Sequence, residues 1–323
     1  VLGCDYSIDA QECTVTLGIP SPKMQRTEDT EDSDGAYSGW LPNTTYNNTQ
    51  MFIWLSADVN LNLSGSDVST WVDRQNSFSF SNQAGNNNNY NTGAGSPSRS
   101  ITASGFYFAR FVHGDHEFLA TDYNSKMDLS GTDGICVAML MRASADPIGD
   151  TDFSGGSYYK APLVNCGRSY QLHLLDSFSG STYTNAIGYD NNSNTFHQDN
   201  QIAPPDINWK IVIYSSADVG GYSGEEGLYV NGTRVNTSDF PPTNTDISLS
   251  PNFRIGRDPD INYSNQTQQF NFAFGSFDLA ELLTFSIPLH DAEREKVEGY
   301  IAHKYKLTAL LPASHPYKNT VPT

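Results

Sequence analysis

Between Gly275 and Leu307 the chain changes its apolar period once, and that change limits what the whole sequence can become. Phe277 to Ile287 is an apolar run of strand-forming residues, closed by Pro288, which cannot continue a ladder. Asp291 offers a side-chain oxygen to cap a helix beginning at Ala292. Val297, Tyr300, Ile301 and Tyr305 then recur at i, i+3, i+4 and i+8 and share one helix face, with Glu293, Glu295 and Glu298 assigned to the other faces. No other stretch of the 323 residues carries a convincing helical period. A chain whose one helix comes at its end must build its core from strands.

Composition agrees with that reading. Gly, Asn, Ser and Thr are abundant, as many loops between short strands require. Against 36 Asp and Glu stand 18 Lys and Arg, a formal charge of -18, so phosphate backbones and anionic lipid surfaces are repelled rather than attracted. Nucleic acid and membrane insertion are therefore not expected. No apolar run approaches the ~20 residues a bilayer span needs, and the longest, Ile135 to Met141, has strand length. The chain begins at Val1 without an initiator methionine or a signal-peptide pattern, and sequence does not decide whether a leader was removed before it. Four cysteines do not make a disulfide framework in a chain of this length. Cys136 and Cys166 read as buried thiols, while Cys4 and Cys13 are close enough in sequence for a bridge that sequence does not decide.

Residues 1–45 read as an extended N-terminal arm. A strand-like segment over Cys13 to Pro22 precedes the acidic tract Glu28 to Asp34, which has nothing apolar to bury, and that tract with Trp40-Leu-Pro42 reads as spacer and hinge. The sandwich is expected over 46–317, including a helix at 291–306, with 318–323 as a tail. Its strands read at Gln50 to Asp58, Asp67 to Asp73, Ile135 to Met141, Ala161 to Cys166, Tyr170 to Leu175, Tyr183 to Tyr189, Trp209 to Tyr214, Phe253 to Arg257 and Phe270 to Phe274, with a hairpin over Phe106 to Leu119. Leu228 to Val235 is a hairpin in which Asn231-Gly232 supplies the positive φ angles of a type I′ turn. Asn82 to Thr92 is an elaborated surface loop. His113-Gly-Asp-His116-Glu117 has the ligand types of a metal site but not the helical spacing of one, and a turn between strands is expected there.

Several of these segments together resemble the laminin-G-like, concanavalin A-like sandwich family. The resemblance is carried at the C-terminal end by Ala280-Glu281, Leu289, Asp291-Ala-Glu-Arg294, Lys296-Val-Glu-Gly-Tyr-Ile-Ala302, Lys304, Leu311-Pro312 and His315-Pro-Tyr317. At the N-terminal end it is carried by Trp71-Val-Asp73-Arg74, and in between by Arg110-Phe111, Gly114-Asp115 and the Leu228-Tyr-Val-Asn-Gly232 turn. Gln75-Asn76 depart from the Ser-Gly usual after the Asp-Arg pair. The resemblance implies an all-β fold, an antiparallel jelly-roll sandwich with one C-terminal α-helix. It also implies the kind of domain found in bacteriophage structural proteins and bacterial surface proteins.

Glycosidases of this architecture place paired carboxylates at alternate positions of one strand. Here Glu225-Glu226 are adjacent and point to opposite faces, and neither a nucleophile elbow nor a phosphate-cradling glycine loop occurs. A non-enzymatic protein is expected: a virion surface component such as a fibre, spike or capsid decoration, with attachment to host glycans as its role. The alternatives are a decoration or assembly protein without glycan binding, and a secreted or cell-surface bacterial carbohydrate-binding protein. Tyr158, Tyr159 and Tyr222 are expected in Gly- and Ser-rich loops where a ring can stack on a sugar. Asp258, Asp260 and Asn262 place three oxygen-bearing side chains at alternate positions, suited to calcium, which laminin-G-like domains often hold at a loop rim. Residues 1–45 are expected to dock onto other virion proteins or a sister subunit by adding a strand to a sheet edge.

Overall fold

A strand buried on both faces has no reason to alternate apolar with polar residues, and Phe277–Phe285 is buried at every position. It lies near the centre of the larger of two antiparallel sheets in the computed structural model, which describes residues 37–82, 95–122, 134–144, 159–166, 170–179, 182–190, 196–199, 207–217, 227–235, 253–257 and 275–323. The chain divides into two units, Val1–Ser38 and Gly39–Thr323, and every described strand belongs to the second.

In chain order the described strands are β1 (Met51–Ser56), β2 (Leu61–Ser64), β3 (Asp67–Val72), β4 (Ser79–Phe80), β5 (Ser98–Ile101), β6 (Tyr107–Phe111), β7 (Leu119–Ala120) and β8 (Gly134–Ala143). There follow β9 (Tyr159–Cys166), β10 (Tyr170–Ser179), β11 (Thr182–Asp190), β12 (Phe196–Asp199), β13 (Lys210–Ala217), β14 (Gly227–Val230), β15 (Thr233–Arg234), β16 (Phe253–Ile255) and β17 (Phe277–Phe285). The larger sheet runs β15-β14-β13-β8-β17-β6-β5-β3-β2, with β1 also on β17 and β4 on β3; the smaller runs β12-β11-β10-β9-β16-β7.

The two sheets face each other across one core. Phe52, Trp71, Phe111, Val137, Met139, Leu279 and Leu282 enter it from the larger sheet, and Leu163, Val164, Leu172, Phe253 and Ile255 from the smaller. Phe80 meets Phe253 edge to face at 5.8 Å across the gap, and Phe111 stacks on Phe277 at 4.7 Å. Such ring pairs add about 0.5–1.5 kcal/mol each beyond their burial. The expected turn is present: Asn231 and Gly232 have φ of 53° and 78°, joining β14 to β15.

The other face of the larger sheet carries α1 (Asp291–Lys304). Val297, Tyr300, Ile301 and Tyr305 are buried as their spacing requires. Three expectations about this helix need correction. Its N-cap is His290 and not Asp291, and the His290 amide donates to the Glu293 carboxylate at 3.2 Å, one half of a capping box. It ends at Lys304 and not 306, closed by paired bonds from Leu307 N–H to the Ala302 carbonyl and from Lys306 N–H to the His303 carbonyl. Lys306 holds the left-handed position there, φ 59°, where glycine is usual. Glu298, assigned to an outward face, is fully buried.

Trp40-Leu-Pro42, read as spacer and hinge, packs instead on the helix. Trp40 meets Tyr300 and Tyr46 edge to face at 6.4 and 6.2 Å, the Lys296 ammonium lies 4.9 Å from its ring centre, and its amide donates to the Pro322 carbonyl. The tail is held as well, since the Lys318 ammonium donates to the carbonyls of Thr308, Ala309 and Leu311 at 2.6 to 3.1 Å.

Candidate functional site

The described residues hold three polar arrangements, and their chemistry separates framework from surface able to meet a ligand. The first lies under α1. Glu281 accepts from Trp54 Nε1 at 2.7 Å, from the Tyr300 hydroxyl at 2.9 Å, from Lys304 Nζ at 3.0 Å and from the Tyr305 hydroxyl. Lys304 directs its remaining donors to Ser56 Oγ and Tyr300, so the ammonium is saturated. Burial, then the charge of Glu281, pushes the Tyr305 hydroxyl well above its ordinary range. Trp54 is fixed from its other side by Arg74, 3.9 Å from the ring centre, while Asp73 accepts the amides of Trp54 and Asn76 at 2.5 Å each. Desolvation raises the Asp73 pKa, and those backbone bonds work against it. Asn76 adds a bond from Nδ2 to the Phe52 carbonyl.

At the end of α1 nearer its N-terminus, Arg294 donates to both oxygens of Glu298 at 2.9 Å, and His315 Nε2 lies 3.0 Å from Glu298. The Tyr317 amide donates to His315 Nδ1, which leaves the proton on Nε2 for Glu298. A side chain on Gly232 would come within 2.9 Å of Pro312 and 3.0 Å of His315, so the hairpin glycine is needed for close approach as well as for φ. Two motifs far apart in sequence thus meet in one joint. These carboxylates are saturated framework.

The second arrangement is at the rim. His113–Asp115 is a 3-10 turn, and His116 follows at φ 54°. Glu117 folds back, accepts the Val112 amide at 2.7 Å, and is 9 % exposed. Burial raises its pKa to about 7, opposed by that amide and helped by Asp115 and Asp67. Gly95 and Gly256 close on this turn without room for a side chain. Asn165 is buried nearby in the smaller sheet and donates to the Arg257 carbonyl, leaving its Oδ1 without a hydrogen bond. Among the described residues no group of three or more His, Cys, Asp or Glu is placed to hold a metal.

The third arrangement lies on the outer face of the larger sheet, past the C-terminal end of α1. Asp278 of β17 stands in register between Arg110 of β6 and Arg142 of β8. Arg110 grips it with Nε and Nη2 at 2.9 and 3.2 Å, and Arg142 with Nε at 2.6 Å. The bond to Asp278 raises the Arg110 pKa further. Both guanidiniums lie over Phe108, and Arg142 also over Trp209, at 5.0 to 5.3 Å. Phe106 and Phe108 meet Trp209 edge to face at 5.0 and 5.4 Å. Trp209 is half-buried, whereas Trp40, Trp54 and Trp71 are buried.

Of the residues singled out in the sequence, Tyr158, Tyr222, Asp258, Asp260 and Asn262 lie outside the described residues, as do residues 1–36 with Cys4 and Cys13. Tyr159, expected in a loop, instead opens β9, where its backbone pairs opposite Asp176. Cys136 is buried, which pushes its thiol up. Trp209, Arg142 and Asp278 were not singled out by sequence; the available signal was a charged residue near the end of each apolar strand.

No family model and no curated protein matches the chain. Among solved structures it is similar to the binding domain of Paraclostridial Mosquitocidal Protein 1, at 10 % identity and TM-score 0.44, over 77 % of this chain and 52 % of that one. It is also similar to botulinum neurotoxin type C, whose cell entry depends on interaction with two ganglioside molecules, at 10 % identity and TM-score 0.47, over 78 % and 51 %. A heptameric SAP-like pentraxin from Limulus polyphemus is similar at 16 % identity and TM-score 0.38, over 52 % and 70 %. The chain spans about half the length of the two toxin chains.

Proposed function

We propose that this chain is a non-catalytic glycan-binding domain of a surface protein, with the strands arranged as a laminin-G-like jelly roll. The observation that carries the reading is Trp209. It is the one tryptophan of the four not buried, and the guanidinium of Arg142, which uses only Nε on Asp278, lies 5.0 Å from its ring centre. A partly exposed indole can meet the C–H side of a sugar ring while neighbouring polar groups bind its hydroxyls or charged substituents. The non-catalytic part is supported by three carboxylates, Glu281, Glu298 and Asp278, each committed to two or more donors among the described residues.

The setting we propose is a bacteriophage virion, as fibre, spike or capsid decoration, with residues 1–45 docking on other virion proteins or a sister subunit. A secreted or cell-surface bacterial adhesin is the alternative setting. Tyr158, Tyr159 and Tyr222 are proposed as further stacking rings, and Asp258, Asp260 and Asn262 as a calcium site; an unchanged melting temperature in chelator removes the calcium proposal. A glycan array probed with the chain and with Trp209→Ala tests the main reading. Saturable binding that the substitution abolishes is expected. No saturable binding to any glycan leaves a purely structural decoration.

A further inference from the structure

Resting on that glycan reading, we propose that Arg110 and Arg142 bind the carboxylate of an acidic sugar whose ring lies against Trp209. Charge comes first. One carboxylate, Asp278, is ion-paired with two guanidiniums, on a protein of formal charge -18. The donors point the same way. Arg142 uses only Nε on Asp278, and among the described residues both its Nη groups have no hydrogen-bond partner; the same holds for Nη1 of Arg110. A structural ion pair needs one arginine. The second is left with a free fork, the arrangement that matches a planar carboxylate with two parallel bonds.

The fork is also preorganised. Asp278 is 6 % exposed and holds both Nε atoms, while Phe108 lies 5.1 to 5.3 Å from both guanidinium carbons and Trp209 lies 5.0 Å from that of Arg142, so little side-chain freedom remains to be lost on binding. The side chains of Arg110 and Arg142 are still 45 % and 29 % exposed, which leaves the free nitrogens open to a ligand.

The experiment is a titration of the full chain with trigalacturonate, sialyllactose and a glucuronate-ended oligosaccharide, against maltotriose and lactose, read by tryptophan fluorescence and calorimetry. Trp209 is the reporter, because the other three tryptophans are buried. At least one acidic sugar should bind saturably and more tightly than its neutral counterpart. Arg142→Gln should weaken it by about tenfold or more, Arg142→Lys should restore only part, and added salt should weaken it further. Melting of each variant within a few degrees of the parent shows that the fold is kept. Equal binding of neutral and acidic sugars, undiminished in Arg142→Gln, overturns this inference but leaves the glycan reading standing. No response to any sugar in fluorescence or heat overturns both.

Discussion

Glu281 and Asp278 stand three positions apart on β17 and face the same side of the larger sheet, yet their surroundings differ. An odd spacing normally puts two residues on opposite faces. The bulge between Leu279 and Glu281 restores the face, and Leu279 and Leu282 both enter the core beneath. Glu281 then meets α1 and is sealed with Lys304, both side chains 0 % exposed. Asp278 lies beyond the end of the helix and meets arginines that reach solvent. One strand therefore carries a closed ionic joint and an open one. In the closed joint every donor is engaged, so it specifies structure; in the open one donors remain, so it can recognise.

The sharpest way to break the comparison is to remove one partner from each joint. Glu281→Gln strands the buried Lys304 charge and should cost about 3–5 kcal/mol in urea unfolding. Glu281→Gln combined with Lys304→Met should be less damaging than Glu281→Gln alone, because no lone charge remains buried. A near-neutral single substitution would show that the joint is not sealed.

Gly299 sharpens the same side. Gly to Ala within a helix ordinarily stabilises by about 1 kcal/mol. Here the added carbon would lie 2.5 Å from Tyr317 Cβ and 2.9 Å from Pro322, so Gly299→Ala should destabilise, by about 1–3 kcal/mol, and free the tail to proteolysis. A stabilised variant would mean that the tail does not rest on the helix.

At the rim, Glu117 gives a pH signature. Its folded pKa of about 7 lies above the ordinary 4.5, so the folded state holds the proton more tightly. The resulting stabilisation is full below pH about 4.5, declines as pH rises, and is gone above about 7. Glu117→Gln should flatten that slope, raising stability relative to the parent at pH 8 more than at pH 5.5. Parallel pH profiles for parent and variant would show Glu117 to be ordinary. The smallest effect is expected at the open joint, where Asp278→Asn should cost about 1 kcal/mol or less and where added salt should shrink the difference.

Much of the frame was legible in the sequence. The face formed by Val297, Tyr300, Ile301 and Tyr305 and the Asn231-Gly232 turn follow from local spacing, which backbone geometry alone enforces. Glu298 did not, because its partners Arg294 and His315 make burial tolerable only once the tail has folded back, and a charged residue in isolation reads as outward. The helix end was hidden for a similar reason: Lys306 takes the left-handed position where glycine would have marked the stop. Trp40 read as linker because its docking surface, Tyr300 with Lys296, lies some 260 positions away. The open joint left the weakest trace. Arg110 and Arg142 lie 168 and 136 positions from Asp278, and only the strand register brings them together.

Glycan binding by this chain stands or falls on Trp209. Saturation-transfer NMR on the full chain with a panel of neutral and acidic oligosaccharides, repeated with Trp209→Phe and Trp209→Ala, tests it most directly. Saturation transfer to the ring protons of at least one sugar is expected, reduced in Trp209→Phe and lost in Trp209→Ala while the melting temperature of Trp209→Phe holds. Transfer that survives in Trp209→Ala, or no transfer to any sugar in the panel, contradicts it.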